Sequence, residues 1–378
     1  MDSVDSMFDS LTAAAVNGSL SEKARVDILE AATKLITALQ KPEDAITKLA
    51  YQPTIFMATR TLLELGVFKH IVEKERITSQ ELATATKADK ILLERLLRVL
   101  TASGYVTELD ESVYGPNPLT KALTTRQTAG LVEFIYDYGM ISIAKLPEYF
   151  EKYGYRNPDN QLSGPPQYGH NIPGQELFPY IASRPKLLSA AHAFFEGDRG
   201  SRPLWVDWFP VQEKLLDEIS TTVGQDDILY VDVAGGRGHD LLDFKRKFGE
   251  FPGRYVLMDL PHVVNDETLC LTGVEKRSFD FFKDQVVPGA RIYYMEFILH
   301  DWNDELCLKL LRNVTAGMKR GHSTLIVEDF IVPAKGASLL PAITLFERAG
   351  LEIEGFYQPP GDGTGIVVLN LAEAVDQP

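Results

Sequence analysis

One apolar run that leads straight into a glycine-rich turn constrains the fold of this chain more than any other feature. The run Ile228–Val233 carries a single acidic residue, Asp232, and a helix is predicted over Asp240–Phe248. Between them lie three glycines, Gly235, Gly236 and Gly238. Glycine lets a backbone bend sharply and approach a ligand closely. Because ligands of open α/β sheets lie beyond the carboxyl ends of the strands, the turn predicts a ligand site.

The C-terminal half of the chain repeats this alternation of strand and helix. Five further apolar runs predict strands at Tyr255–Met258, Ala290–Met295, Leu325–Val327, Leu351–Phe356 and Ile366–Leu371. Apolar strands separated by helices are typical of a parallel sheet that is covered on both faces. The last two runs are joined by a turn too short for a crossover helix, so we expect them to pair antiparallel. The fold class is therefore α/β, with a doubly wound sheet.

The N-terminal half is predicted to be helical, with a winged-helix pattern near its end. Thr78 and Glu81 have the spacing of a capping box for a short helix, a second helix follows over Asp89–Ser103, and then comes a two-stranded wing. A DNA-binding winged helix needs clustered positive charge, whereas this wing carries Asp110 and Glu111 at its tip. We therefore predict a packing role, and a division into residues 1–125 and 126–378.

The section from about residue 126 to 212 is helical and rich in aromatic residues. Aromatic side chains at helical spacing usually belong to a core, but their density here leaves room for an apolar ligand pocket. The candidates for such a substrate pocket are Phe134, Tyr138, Phe178 and, further along the chain, Trp302.

Composition excludes several classes of protein. The chain has 38 Lys and Arg against 53 Asp and Glu, a net charge of −15, which disfavours nucleic acid and anionic membranes as partners. It has 2 cysteines, Cys270 and Cys307, which excludes a disulfide scaffold and suits a reducing compartment. No apolar run approaches the roughly 20 residues that span a bilayer, and the acidic start is unlike a signal peptide. We expect a cytoplasmic protein.

Acidic residues follow three successive strands around the glycine turn. Asp232 would repel a pyrophosphate, and Leu241 stands where the dinucleotide fingerprint requires Gly or Ala, so a cationic ligand fits better. Asp259 ends the next strand, where it could accept hydrogen bonds from ribose hydroxyls or simply begin a turn. Asp280 and Phe281 could bracket an adenine, although Phe281 would also suit a core.

A histidine follows the strand Ala290–Met295 and is the candidate for acid–base chemistry. His300 has the side chain whose pKa best suits proton removal near pH 7, although a lone histidine is as often structural. Asp329 ends the neighbouring strand and could hold the imidazole in one tautomer. Asp301 could instead cap the following helix.

In this order, the motifs resemble the S-adenosylmethionine-dependent small-molecule O-methyltransferases of the caffeate/flavonoid type, in particular the fungal secondary-metabolism branch. The resemblance implies a Rossmann-like methyltransferase sheet, a winged-helix homodimerisation domain, and no metal. It implies that Asp232 and the three glycines hold the methionine part of the cofactor, Asp259 the ribose, and Asp280 with Phe281 the adenine. His300 would be the general base, oriented by Asp329, for methylation of a hydroxyl on an aromatic or polyketide-like metabolite.

The chain departs from the family pattern in the segment before its last two strands. Relatives carry a longer segment there with an acid that braces the base, and Glu347 is the residue here that could take this role. Glu296 stands where the family often has a basic residue. Some fungal relatives use the cofactor's sulfonium as a fixed charge for pericyclic or dehydration chemistry, and the short segment keeps that alternative open.

Overall fold

The computed structural model describes residues 2–197, 202–217, 223–330, 345–359 and 364–373. Residues 1–55 and 56–378 form two compact units. The first holds helices α1 (Asp2–Val16) and α2 (Glu22–Leu39) and the start of α3 (Pro42–Glu64), which continues into the second. Ser21 caps α2 by accepting a hydrogen bond from the Ala24 N–H at 3.2 Å. The predicted division at residue 125 stays a prediction.

Beyond α3, the second unit contains the predicted helix pair and hairpin. Its elements are α4 (Val67–Lys74), β1 (Ile77–Thr78), α5 (Ser79–Thr86), α6 (Lys90–Ala102), β2 (Thr107–Asp110) and β3 (Val113–Gly115). The capping box between Thr78 and Glu81 is present as predicted. The three strands form a small antiparallel sheet in the order β1-β3-β2, so the hairpin gains a third strand that the sequence pattern did not indicate.

Short helices and two π-turns fill the middle section. Its elements are α7 (Pro118–Ala122), α8 (Arg126–Phe134), a π-turn (Ile135–Gly139), α9 (Met140–Ala144), α10 (Leu146–Tyr153), α11 (Pro165–Gly169), α12 (Leu177–Ala182), α13 (Pro185–Gly197), α14 (Trp205–Trp208) and a second π-turn (Gln212–Leu216). A core that includes Phe134, Tyr180 and Ala191 joins α8, α12 and α13.

The described residues from 223 onward form a seven-stranded sheet with helices on both faces. Its strands are β4 (Ile228–Val233), β5 (Arg254–Asp259), β6 (Glu275–Ser278), β7 (Ile292–Glu296), β8 (Thr324–Phe330), β9 (Leu351–Tyr357) and β10 (Thr364–Leu371). Its helices are α15 (His239–Phe248), α16 (Pro261–Val264), a 3₁₀ turn (Leu299–Asp301) and α17 (Asp304–Gly317). The strand order β6-β5-β4-β7-β8-β10-β9 confirms the doubly wound α/β fold, and β10 runs antiparallel to β8 and β9 as predicted.

Alternation along the strands divides the apolar side chains between two cores. On β4, Val231 and Val233 pack in the core that includes α17, whereas Tyr230 packs with Phe244 of α15. Strand β6 was not predicted, because Glu275, Lys276 and Arg277 lack the apolar pattern of the other strands. Among the described strands it pairs with β5 alone, at the sheet edge, a position where charged residues are common.

Candidate active site

The glycine turn folds its backbone over the Asp232 carboxylate at the end of β4. Asp232 is 2% exposed, and a Cβ atom on Gly235 would lie 2.1 Å from its Cγ. Any residue other than glycine at position 235 would therefore clash with the Asp232 carboxylate. Gly236 and Gly238 have φ angles of +56° and +74°, which side-chain-bearing residues rarely adopt.

Asp259 connects the glycine turn to the end of β5. Its Oδ2 accepts a hydrogen bond from the Gly236 N–H at 2.7 Å, and its Oδ1 accepts one from the Leu260 N–H at 2.6 Å. Burial raises the pKa of Asp259 to about 6, although both hydrogen bonds favour the charged form. The structure therefore brings Asp232, the glycines and Asp259 together at one edge of the sheet.

Asp280 and Phe281 lie just beyond β6, and both already have partners within the protein. Asp280 accepts hydrogen bonds from the Lys283 Nζ at 2.6 Å and the Phe282 N–H at 3.0 Å. Burial opposes ionisation of Asp280, but these contacts outweigh it and lower its pKa. The Phe281 ring packs edge to face against Trp302, with ring centroids 5.5 Å apart. Binding of adenine by this pair stays a prediction.

His300 lies in the 3₁₀ turn after β7 and is held by carboxylates on two sides. Its Nδ1 lies 2.9 Å from Oδ1 of Asp329, and its Nε2 lies 3.5 Å from Oδ1 of Asp301. The 2.9 Å contact has hydrogen-bond length, whereas the 3.5 Å contact is longer than an ordinary hydrogen bond. Because a carboxylate only accepts, a neutral His300 carries its proton on Nδ1, toward Asp329, and its lone pair on Nε2. Asp329 is held in turn by the Phe330 N–H, which donates to the same oxygen at 2.8 Å. The predicted pairing of His300 with Asp329 is thus present in the structure.

The four residues predicted for the substrate pocket fall into two aromatic clusters. Phe178 lies 6.4 Å from Trp302 between ring centroids, beside the turn that carries His300. Phe134 and Tyr138 stack on each other at 5.2 Å in the core between α8 and α13. Whether the two clusters line one pocket stays a prediction.

Glu347 is exposed, on a short helix over residues 345–348 that leads into β9. Its neighbours Phe346 and Ala349 are buried in the sheet core. Most of the shortened segment 334–348 lies outside the described residues. The proposed brace between Glu347 and His300 stays a prediction.

Two side chains beside the glycine turn, Arg237 and His239, were not identified from the sequence as parts of the site. Arg237 pairs with Glu196 of α13 at 2.8 Å and with Asp266 at 2.7 Å. His239 Nε2 lies 2.8 Å from Asp240 and 3.2 Å from Glu296. Glu296 therefore lies beside His239. One feature of the sequence indicated this contact, because Glu296 is acidic at a position where the family often has a basic residue. Atoms of His239, Asp240 and Glu296 lie within 4.8 Å of one another, close enough to hold a metal ion, so the expectation of no metal stays a prediction.

Comparison with known proteins identifies the family of the chain. The O-methyltransferase dimerisation domain matches residues 48–126, and the O-methyltransferase domain matches residues 212–347. The chain is 33% identical to O-methyltransferase asqD of Emericella nidulans, over 82% of this chain and 85% of that protein. It is 32% identical to O-methyltransferase penC of Penicillium thymicola, over 83% and 78% of the two chains.

Solved structures agree with this assignment to the O-methyltransferase family. The crystal structure of OxaC in complex with SAH and oxaline has a TM-score of 0.82 and 26% identity, covering 98% of this chain and 99% of OxaC. A structure described as a pericyclic reaction enzyme has a TM-score of 0.86 at 23% identity, covering 98% and 100%, which shows a shared fold. Together with the glycine turn and two buried carboxylates at the sheet edge, these matches place the chain among the S-adenosylmethionine-dependent O-methyltransferases of fungal secondary metabolism.

Proposed function

We propose that this enzyme methylates a hydroxyl of an aromatic or polyketide-like metabolite and uses His300 as the general base. The observation that carries the proposal is the 2.9 Å contact between His300 Nδ1 and Asp329, which leaves the lone pair on Nε2. Two aromatic rings lie beside this imidazole, with centroids of Phe297 and Phe330 at 5.6 and 6.0 Å. A base with a defined tautomer in an aromatic site is suited to removing a proton from a hydroxyl.

The residues around the glycine turn fit the cofactor of the family. Asp232 and the backbone at Gly235, Gly236 and Gly238 would hold the methionine part, and Asp259 the ribose hydroxyls. Asp280 and Phe281 would contact the adenine. When bound, S-adenosylmethionine supplies an electrophilic methyl group on a positively charged sulfur, and buried carboxylates match that charge. This assignment of residues to parts of the cofactor is ours.

His300 provides the proton acceptor that a hydroxyl nucleophile needs. A phenol has a pKa of about 10, so it is mostly neutral near pH 7 and attacks weakly until its proton is removed. Nε2 takes this proton, and the resulting imidazolium lies between Asp329 and Asp301, which stabilise its charge.

The substitution His300→Ala tests the base. We expect binding of S-adenosylmethionine to persist while turnover falls about 100- to 10,000-fold, the usual range for loss of a general base. His322→Ala is the matched control. His322 lies just before the first residue of β8, whereas Asp329 lies near its last residue, so loss of the His322 side chain should leave turnover unchanged. Binding is measured by calorimetry and turnover by formation of methylated product. Unchanged turnover of His300→Ala would show that another group is the base.

The alternative is a reaction of the same fold in which the methyl group is not transferred. The short segment before β9 favours it, because the acid that braces the base in the family pattern is lost there unless Glu347 replaces it. Incubation with a substrate and methyl-labelled cofactor separates the two reactions. Methyl transfer adds one labelled methyl to the product and forms S-adenosylhomocysteine, whereas product formed without either would establish pericyclic or dehydration chemistry.

We also propose that the enzyme is a homodimer in which the winged-helix region takes part in association. The match of residues 48–126 to a dimerisation domain supports this. Large apolar side chains of α2 support it as well, since Leu29, Ile36 and Leu39 are 54%, 59% and 74% exposed in the single chain. No described helix is both long and apolar enough to cross a membrane. The small-molecule substrate and the cytoplasmic location stay predictions.

A further inference from the structure

A π-turn in the middle section holds three consecutive side chains in defined positions. Within Ile135–Gly139, the Tyr136 ring packs edge to face on Phe56 of α3, with centroids 5.3 Å apart. Asp137 forms a two-point ion pair with Arg60 of α3, at 3.0 Å to Nε and 2.8 Å to a terminal nitrogen. π-Turns inside α-helices occur frequently at functional sites. These two contacts hold the turn against α3, and the Tyr138 ring lies on the other side of the turn.

The Tyr138 ring is fixed between two other rings. It stacks on Phe134 at 5.2 Å and on His170 at 4.7 Å, with interplanar angles of 18° and 16°. His170 Nε2 donates to the Tyr138 carbonyl at 2.9 Å, and its Nδ1 accepts from the Tyr180 hydroxyl at 3.2 Å. Each polar group around the ring therefore has a partner, and the ring itself cannot move freely.

The Tyr138 hydroxyl is the exception. It is buried and has no hydrogen-bond partner among the described residues. A buried polar group without a partner costs free energy, so such groups are rare in native proteins unless they have a role. Burial raises the pKa of Tyr138 well above its usual value, and the neighbouring Tyr180 and Asp301 raise it further. Asp301 also contacts His300 Nε2, so the hydroxyl lies within electrostatic reach of the base.

We propose that the Tyr138 hydroxyl donates a hydrogen bond to a carbonyl oxygen of the substrate and thereby orients the reacting hydroxyl toward His300. This deepens the proposed function and rests on it. A carbonyl oxygen only accepts hydrogen bonds, which matches a phenol that stays protonated. An anionic group is disfavoured because Asp301 lies nearby, and the proposed function already requires an aromatic or polyketide-like molecule that carries a hydroxyl. The substrate class is therefore a planar hydroxyaryl ketone, quinone or lactam.

A pair of probes that differ only at the carbonyl tests this. The probes 2-hydroxy-9-fluorenone and 2-hydroxyfluorene have the same rings and hydroxyl, but the second has CH₂ in place of C=O. We expect the wild-type enzyme, saturated with S-adenosylhomocysteine, to bind the ketone about tenfold more tightly, the value of one hydrogen bond. Tyr138→Phe should remove this preference. Tyr136→Phe removes a hydroxyl from the side of the same turn that faces α3 and should keep it.

The binding measurement separates this proposal from the proposed function, because neither probe needs to react. Calorimetry gives the affinities, and thermal denaturation of the same variants shows whether they fold. Tyr138→Phe should melt at or above the wild-type temperature, since it removes a buried group without a partner. Equal affinity of the wild type for both probes, or binding of neither, would overturn the proposal, as would a preference that survives Tyr138→Phe. A Tyr138→Phe variant that melts several degrees lower would also overturn it, because the hydroxyl would then have a structural partner.

Discussion

At the scale of single residues, the glycine turn and its surroundings contain carboxylates whose burial and contacts shift their pKa values in opposite directions. Asp259 is the clearest case, because burial raises its pKa to about 6. Its contribution to the free energy of unfolding is present below about pH 4 and is lost as the pH rises through about 6. Asp266 behaves in the opposite way: hydrogen bonds from Thr268 lower its pKa to about 2, with help from Arg237. Its contribution is present above about pH 4 and is lost as the pH falls toward 2.

The pKa of Asp259 predicts a pH dependence of cofactor binding. Ribose hydroxyls donate to a carboxylate, so below about pH 6 the protonated Asp259 must release its proton on binding. We expect the affinity for S-adenosylhomocysteine to fall by up to about tenfold per pH unit between pH 6 and 5. Calorimetry in two buffers of different ionisation enthalpy measures the affinity and the released proton together. Asp259→Asn should bind weakly without pH dependence in this window; the same slope in both proteins would assign the effect to another group.

At the scale of elements, two helices that bear aromatic residues of the middle core approach unusually closely. A Cβ atom on Gly130 of α8 would lie 2.3 Å from Cβ of Ala193 and 3.0 Å from the carbonyl oxygen of Ala190, both on α13. A Cβ atom on Gly197 of α13 would lie 2.2 Å from Cβ of Gln127. The obstructing atoms are backbone or Cβ atoms, which cannot rotate away, so glycine sets the spacing of the pair. Phe134 on α8 and Phe194 on α13 then stack at 5.2 Å.

Gly130→Ala should therefore destabilise the protein. Overpacking of this kind typically costs about 1–3 kcal/mol, because the helices must move apart. Gly139→Ala is the matched control: its Cβ atom would meet nothing closer than 3.6 Å, and alanine favours a helical backbone by up to about 1 kcal/mol. Urea denaturation measures both variants. If Gly130→Ala unfolds at the same midpoint urea concentration as the wild type, the close approach of the two helices does not contribute to the free energy of unfolding.

At the scale of the whole molecule, a strongly acidic chain carries apolar side chains on the outside of its first helices. The net charge of −15 favours repulsion between copies, so association must come from apolar contact. The exposed leucine and isoleucine side chains of α2 provide such a surface.

We expect light scattering at micromolar concentration to give twice the chain mass of 42.2 kDa. Ile36→Glu should weaken the dimer, because it places a charge among the apolar side chains of α2. Lys34→Glu, on the same helix at an exposed charged position, should not. A wild-type protein that runs as a monomer would contradict the homodimer, and an unchanged Ile36→Glu dimer would place the interface elsewhere.

Much of this protein follows from local patterns along the chain. The run from β4 through the glycines to α15, the capping box at Thr78 and the antiparallel last strands depend on neighbouring residues, and the structure has them as predicted. Asp232, Asp259 and His300 all lie at the carboxyl ends of parallel strands, at one edge of the sheet, and their order in the sequence was enough to indicate this.

Other features depended on the tertiary structure. Three of them join segments that are far apart in the sequence, so no local pattern could indicate them. They are the pairing of Arg237 with Glu196, the stacking of Tyr138 on His170, and the position of β6 at the edge of the sheet. Each depends on how helices and strands pack after they have formed, at distances set by single atoms. Local propensity therefore determined most of the elements and their order. Packing decided which side chains meet and left the Tyr138 hydroxyl without a hydrogen-bond partner among the described residues.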